Sequence, residues 1–169
     1  MSSKSVRIIE AQTDILLHNV STAIKTCDMD YVLCDMPLWK HLYHALHSLD
    51  RWFINPQRYS EPYFHVPDLN SLDVQSSKTL TREELSEYFS TIKLKIREYL
   101  STLDDEMLSE RPDGCNYTRL DLILGQYRHL YSHVGNINAV TIITTGRWPR
   151  VVGLDGKLTE DLYEYIPGG

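Results

Sequence analysis

The stretch that decides the fold is residues 80–103, LTREELSEYFSTIKLKIREYLSTL. Thr81 and Glu84 have the spacing of a capping box, in which each side chain binds a free backbone amide at a helix start. Leu80 and Leu85 lie at the positions of a hydrophobic staple. Apolar residues then recur at intervals of three and four, as they do on one face of a helix: Leu85, Phe89, Ile92, Ile96, Leu100 and Leu103. The stretch therefore predicts a long amphipathic helix.

Three further segments show the same period, and they predict helices over about residues 4–26, 36–54 and 118–144. The connection over residues 56–80 contains three prolines and has no sustained helical period. A connection of this length can cover the ~30 Å of a 20-residue helix and return the chain to the opposite end of a bundle. We therefore predict an all-α four-helix bundle with one long crossover between helices 2 and 3, in up-down-down-up order.

The 169 residues fit one domain, over residues 1–169. Residues 146–169 are interrupted by glycine and proline, so we expect a C-terminal tail instead of a fifth helix. The tail is predicted to pack on the bundle, where it would bury its apolar residues: Val151, Val152, Leu154 and Leu162.

Composition and charge exclude several classes of protein. The apolar share of 42% and the charged share of 24% are ordinary for a soluble domain. A net charge of -6 argues against a nucleic-acid partner, because such binding depends on neutralising phosphates. No apolar run reaches the ~20 residues that cross a bilayer, and no apolar leader follows Met1. These features predict a cytoplasmic protein with neither nucleic-acid nor membrane partners.

Cysteine usage agrees with a reducing compartment. The chain has three cysteines, an odd number, and none of them forms a C-x-x-C motif. We therefore expect three free thiols that serve as small packing groups: Cys27, Cys34 and Cys115.

Two histidines of the fourth helix are the most informative polar residues. His129 and His133 are four residues apart, which places them one turn apart on one face. The same row contains Leu122, Ile137 and Val140, so these polar rings lie among apolar neighbours. Buried polar groups need partners. A metal ion, a water or a polar group across the groove would satisfy them; a hydrogen-bonded pair at the helix surface is the alternative.

The second helix offers His41, His44 and His47 at intervals of three. Periodicity does not select among them as partners of the fourth-helix pair. His44 lies away from the centre of the leucine stripe of this helix, and His41 lies nearer its edge. A row of surface histidines is the plain alternative.

Residues 37–53, PLWKHLYHALHSLDRWF, resemble the second-helix signature of the DinB-like superfamily, in which Leu-x-His is followed by an acidic residue. Residues 128–138, RHLYSHVGNIN, resemble its fourth-helix signature, H-x-x-x-H followed by an apolar residue and glycine. The helix count and the crossover agree with that superfamily. The resemblance implies a divalent metal ion, zinc or nickel, on His44, His129 and His133, with His41 as the other candidate from the second helix. It also implies a homodimer.

Three neutral histidines leave coordination positions open, which is typical of catalytic sites. Because members of the superfamily include thiol-dependent transferases, the resemblance implies a metal-bound thiolate that attacks a small-molecule substrate. Two interpretations stay open: a metal-dependent thiol transferase or hydrolase, and a non-catalytic metal-binding or stress-associated dimeric bundle. Asp50 follows His44 by about one and a half turns, so it could orient the site or pair with Arg51 or Arg58 at the surface.

Overall fold

The computed structural model describes residues 3–154, 156–158 and 163–168. Its helices are α1 Lys4–Thr26, α2 Leu38–Trp52, α3 Arg82–Ser101 and α4 Arg119–Thr145. Short 3-10 turns occupy Pro56–Arg58 and Met107–Ser109. The prediction of a predominantly helical chain is confirmed. In the described part of the chain, the only sheet is a hairpin of β1 Val32–Leu33 and antiparallel β2 Met36–Pro37.

Capping boxes begin two of the four helices. The predicted box of α3 is present, because the Thr81 hydroxyl accepts from the Glu84 amide and the Glu84 carboxylate accepts from the Thr81 amide. A second box, between Thr118 and Asp121, begins α4 and was not predicted. At the other end of α4, Gly146 adopts φ 68°, a left-handed conformation that ends the helix.

The second helix begins slightly later than predicted. Pro37 lies in extended backbone at the N-cap of α2 and not within its first turn, because Met36 and Pro37 pair with β1. The hairpin therefore fixes where α2 starts.

Contacts along α2 and α3 show that these helices run parallel. The rings of Tyr43 and Tyr88, early in each helix, lie 5.8 Å apart between centroids. Phe53 and Tyr99, at the far ends, lie 6.5 Å apart. Because both pairs advance in the same direction, the crossover between the two helices carries the chain from one end of the bundle to the other.

The first helix runs antiparallel to α3. The backbone amide of Val6 donates to Asp105, just beyond α3, and Asp14 pairs with Arg97 within it. With α2 antiparallel to α4, as the contacts in the next subsection show, the observed order is up-down-down-up.

The core is centred on α2, which is buried on nearly every side by α3, α4, the crossover and the hairpin. The main apolar residues of α2 and its C-cap are each at most 2% exposed: Leu38, Leu42, Leu46, Leu49 and Phe53. Even Lys40 is enclosed, and its ammonium donates to the carbonyl of Val74 in the crossover. An enclosed helix brings polar side chains into contact with several elements at once.

The described residues of the tail make hydrogen bonds to α1. The Asn19 amide exchanges two hydrogen bonds with the backbone of Val152, at 3.0 and 2.7 Å. The expected burial of Leu154 is wrong, since that side chain is 99% exposed. Leu162 lies outside the described residues. None of the described helices combines the length and apolar character needed to cross a membrane.

All three cysteines are free thiols in the structure, as predicted. Cys27 and Cys115 are buried and Cys34 is exposed. Burial also raises the pKa of the Cys27 thiol. A thiol reagent should therefore modify Cys34 first in the native protein and all three cysteines after denaturation without reductant. A denatured count of one would show that a disulfide had formed.

Replacing Thr81 by alanine should lower the free energy of unfolding by about 1 kcal/mol, because one side of the capping box is lost. Chemical denaturation at neutral pH measures the change. Ser90→Ala is the matched control, since this exposed hydroxyl bonds within its own helix, to the Ser86 carbonyl. Equal effects of the two substitutions would contradict the role assigned to the cap.

Candidate metal centre

The three histidines named from the sequence meet in the groove between α2 and α4. His44 Nε2 lies 3.3 Å from His129 Nε2, which lies 3.2 Å from His133 Nε2. One ring nitrogen from each of the three lies within 4.8 Å of the other two. We call these three residues the histidine trio. The trio and the hydrogen bond from Ser48 to Gln126 show that α2 and α4 run antiparallel.

A backbone carbonyl orients the histidine from α2. His44 Nδ1 lies 2.8 Å from the Asn70 oxygen, which can only accept a hydrogen bond. The hydrogen of His44 is therefore on Nδ1, and the Nε2 atom that faces the other two histidines carries a lone pair. Fixing the tautomer of a ligand through its second nitrogen is a common feature of metal sites.

The spacing within the trio fits a metal ion. Ligands at about 2.0–2.1 Å from a tetrahedral zinc lie roughly 3.3 Å apart. The two separations of 3.3 and 3.2 Å match this value, although they are long for hydrogen bonds between imidazoles. Among the described residues, His129 Nδ1 is buried without a hydrogen-bond partner, so none of their carbonyls or carboxylates fixes its tautomer. A divalent cation would satisfy the facing lone pairs together.

Burial keeps the fourth-helix pair neutral at physiological pH. Desolvation, with the neighbouring histidines His129, His44 and His41 adding to it, lowers the pKa of His133 to about 4. Burial and the nearby His44 also lower the pKa of His129. Neutral imidazole is the form that binds metals. All three residues are half-buried.

The structure separates His44 from the other candidates. His41 turns away from the trio, and its Nε2 lies 2.8 Å from the Leu33 carbonyl in the hairpin. In the part of the chain that the structure describes, Asp50 pairs neither with the trio nor with Arg51 or Arg58, so both expectations for it are wrong. Its carboxylate instead binds Lys95 and Tyr88 of α3, each at 2.9 Å.

A second cluster was not predicted from the sequence. His47 Nε2 lies 2.7 Å from Glu61 Oε2, and His65 Nδ1 lies 3.7 Å from the same oxygen. Glu61 and His65 belong to the crossover, whose path has no sequence period. The only available signal was their spacing of four residues. A surface cleft of about 440 Å³ lies beyond this cluster, and residues from α3 and the crossover line it: Phe64, Lys78, Tyr88 and Lys95.

Comparisons of the chain with protein-family models, curated protein sequences and solved structures find no match. The structure itself defines a helical bundle with a histidine trio that can hold a metal ion. Membership of the DinB-like superfamily stays a prediction from the two sequence motifs.

Proposed function

We propose that this chain is a DinB-like metalloenzyme, in which the trio binds a divalent zinc or nickel ion and the reaction transfers a low-molecular-weight thiol. The observation that carries the proposal is the spacing of the three Nε2 atoms, together with the Asn70 carbonyl that orients His44. Three protein ligands leave at least one position for a small molecule.

The metal would supply a positive charge that acidifies a bound thiol and so provides a thiolate near neutral pH. The chain's own part is to hold three neutral imidazoles at the ligand spacing and to keep the groove partly open. Ser48 and Gln126 bridge α2 and α4 beside the trio, and their hydrogen bond supports the groove. The small-molecule substrate would approach from the accessible side of the trio.

Elemental analysis of protein purified without an affinity tag tests metal binding directly. We expect zinc or nickel at the trio, and a large loss of that metal in His129→Ala. His18→Ala is the matched control, since His18 belongs to neither histidine cluster among the described residues. A metal content in His129→Ala equal to that of the native chain would contradict the site.

Catalysis needs a separate experiment. The metal-loaded protein should accelerate the reaction of a small thiol with an alkylating electrophile, and chelation or His129→Ala should abolish the acceleration. Binding of metal without any acceleration would favour the non-catalytic interpretation instead.

We also propose that the protein forms a homodimer, as the resemblance implies. Apolar side chains on the outer face of α4 support this, because Leu124, Tyr131 and Ile143 are 43%, 51% and 77% exposed. Light scattering coupled to size exclusion measures the mass, and a monomer at micromolar concentration would contradict the proposal.

A further inference from the structure

We propose that His47, Glu61 and His65 form a second divalent-metal site, separate from the trio, which fastens the crossover to α2. We call these three residues the crossover cluster. One donor atom from each lies within 4.8 Å of the other two. The proposal concerns residues outside the trio, and it does not depend on whether the trio is catalytic.

The three donors come from two different elements. His47 is on α2 and is 3% exposed, so its ring sits at the inner side of the cluster. Glu61 and His65 lie four residues apart on the crossover, and the Glu61 side chain is 44% exposed. The rings of His47 and His65 are stacked, with centroids 5.1 Å apart. Glu61 is on the exposed side of the cluster, so an ion can enter there. The ligand atoms of the three residues already lie close together.

Tyrosine hydroxyls hold the two crossover donors in place. The Tyr43 hydroxyl lies 2.7 Å from His65 Nδ1, and the Tyr59 hydroxyl donates to Glu61 at 3.2 Å. Outer hydrogen bonds such as that of Tyr59 orient metal ligands and are worth about 10–100-fold in metal affinity. The Tyr43 hydroxyl occupies the His65 nitrogen nearest Glu61, so an ion would displace this hydroxyl from Nδ1 or bind His65 through Nε2.

The metal-free state is a hydrogen-bonded pair. The 2.7 Å between His47 Nε2 and Glu61 Oε2 is a hydrogen-bond length and is shorter than the roughly 3.3 Å between ligands of zinc. An incoming ion would take the place of the shared proton on His47 Nε2; this proton would leave and another would bind at Nδ1, so that the ring stays neutral, and the two atoms would move apart by about half an ångström. Glu61, on the exposed crossover, is the side that can move.

The donor set distinguishes this site from the trio. The two imidazoles and one carboxylate of the crossover cluster carry a formal charge of about -1, which attracts a divalent cation. The three imidazoles of the trio are neutral. Imidazole with carboxylate suits first-row divalent metals such as zinc, manganese and iron. We therefore assign the crossover cluster to a divalent transition-metal ion and use Zn²⁺ as the probe.

Zinc titration of metal-free protein tests the proposal by stoichiometry. The native chain should bind two equivalents, and Glu61→Gln and His65→Gln should each bind one. In these variants we expect the affinity of the crossover cluster for Zn²⁺ to fall by more than about 100-fold. Loss of a residue that only hydrogen-bonds to a ligand already lowers metal affinity by about 10–100-fold. His18→Gln, the matched control, should keep two. An unchanged stoichiometry in Glu61→Gln and His65→Gln would overturn the proposal.

Hydrogen exchange provides a second readout that does not depend on these variants. In His129→Ala, where the trio is disabled, Zn²⁺ should still slow amide exchange over residues 56–66. Unchanged exchange in this segment would overturn the second site while leaving the trio intact. A native chain that binds only one equivalent, with the crossover still protected by Zn²⁺, would instead contradict only the proposed function.

Discussion

Replacing His129 by alanine will lower the affinity of the trio for Zn²⁺ by more than about 100-fold, since removal of a ligand costs more than the 10–100-fold of an outer partner. His129 is the central member, because its Nε2 lies 3.3 and 3.2 Å from those of His44 and His133. Without the His129 ring, only His44 and His133 remain as ligands, and the nitrogen that lies between them is missing. Competition with a chromophoric chelator measures the affinity.

The same substitution should separate metal binding from folding. In a Glu61→Gln background, which lacks the crossover cluster, zinc at 100 times its dissociation constant for the trio should stabilise the folded state by about 2.7 kcal/mol, and this gain should disappear when His129→Ala is added. The metal-free proteins should differ less, because the core around α2 does not include His129. His18→Ala should behave like the native chain. A zinc-dependent rise in melting temperature that survives in the Glu61→Gln background with His129→Ala, and also with His133→Ala, would refute the trio.

The metal-free protein will lose stability as the pH falls from about 6.5 to about 4. Burial and neighbouring histidines lower the pKa of His133 from 6.5 to about 4. In this window the unfolded chain takes up a proton that the folded chain resists, so the free energy of unfolding rises with pH and reaches its full value above 6.5. The pKa values of His129 and His47 are lowered as well, mainly by burial, and act in the same direction.

We expect His133 alone to contribute on the order of 2 kcal/mol across the window, since one pKa unit corresponds to about 1.4 kcal/mol. Urea denaturation at a series of pH values measures the curve. In His133→Gln the free energy of unfolding should depend less on pH. The dependence that comes from carboxylate titration is common to both proteins and should remain. Parallel curves for the two proteins would show that the His133 ring is not held neutral by the fold.

Local signals in the sequence were sufficient for the helices. The capping box at Thr81 uses residues three positions apart and depends on nothing distant, so its prediction was confirmed. The start of α2 was less predictable, because Pro37 also pairs with the β-hairpin. The pairing of His129 with His133 likewise follows from helical spacing alone.

Residues placed by the crossover could not be predicted in this way. Asn70, Glu61 and His65 meet α2 through tertiary contacts, and their segment has no period from which a face could be read. The same reason explains Asp50, whose partners Tyr88 and Lys95 depend on α3 lying parallel to α2. Periodicity alone also did not select His44, because a helix enclosed on nearly all sides has no single inward face.

The members of the trio are far apart in the sequence, and this separation determines when the trio can assemble during synthesis of the chain. His44 and His129 are 85 residues apart, and closing such a loop in an unfolded chain costs about 4 kcal/mol of entropy. At roughly 5–20 residues per second, a ribosome needs several seconds to extend the chain from one to the other. His47 and Glu61 are only 14 residues apart, so the crossover cluster can assemble while α4 is still unmade. Any metal loading of the trio would therefore be a late event that follows synthesis of the last helix.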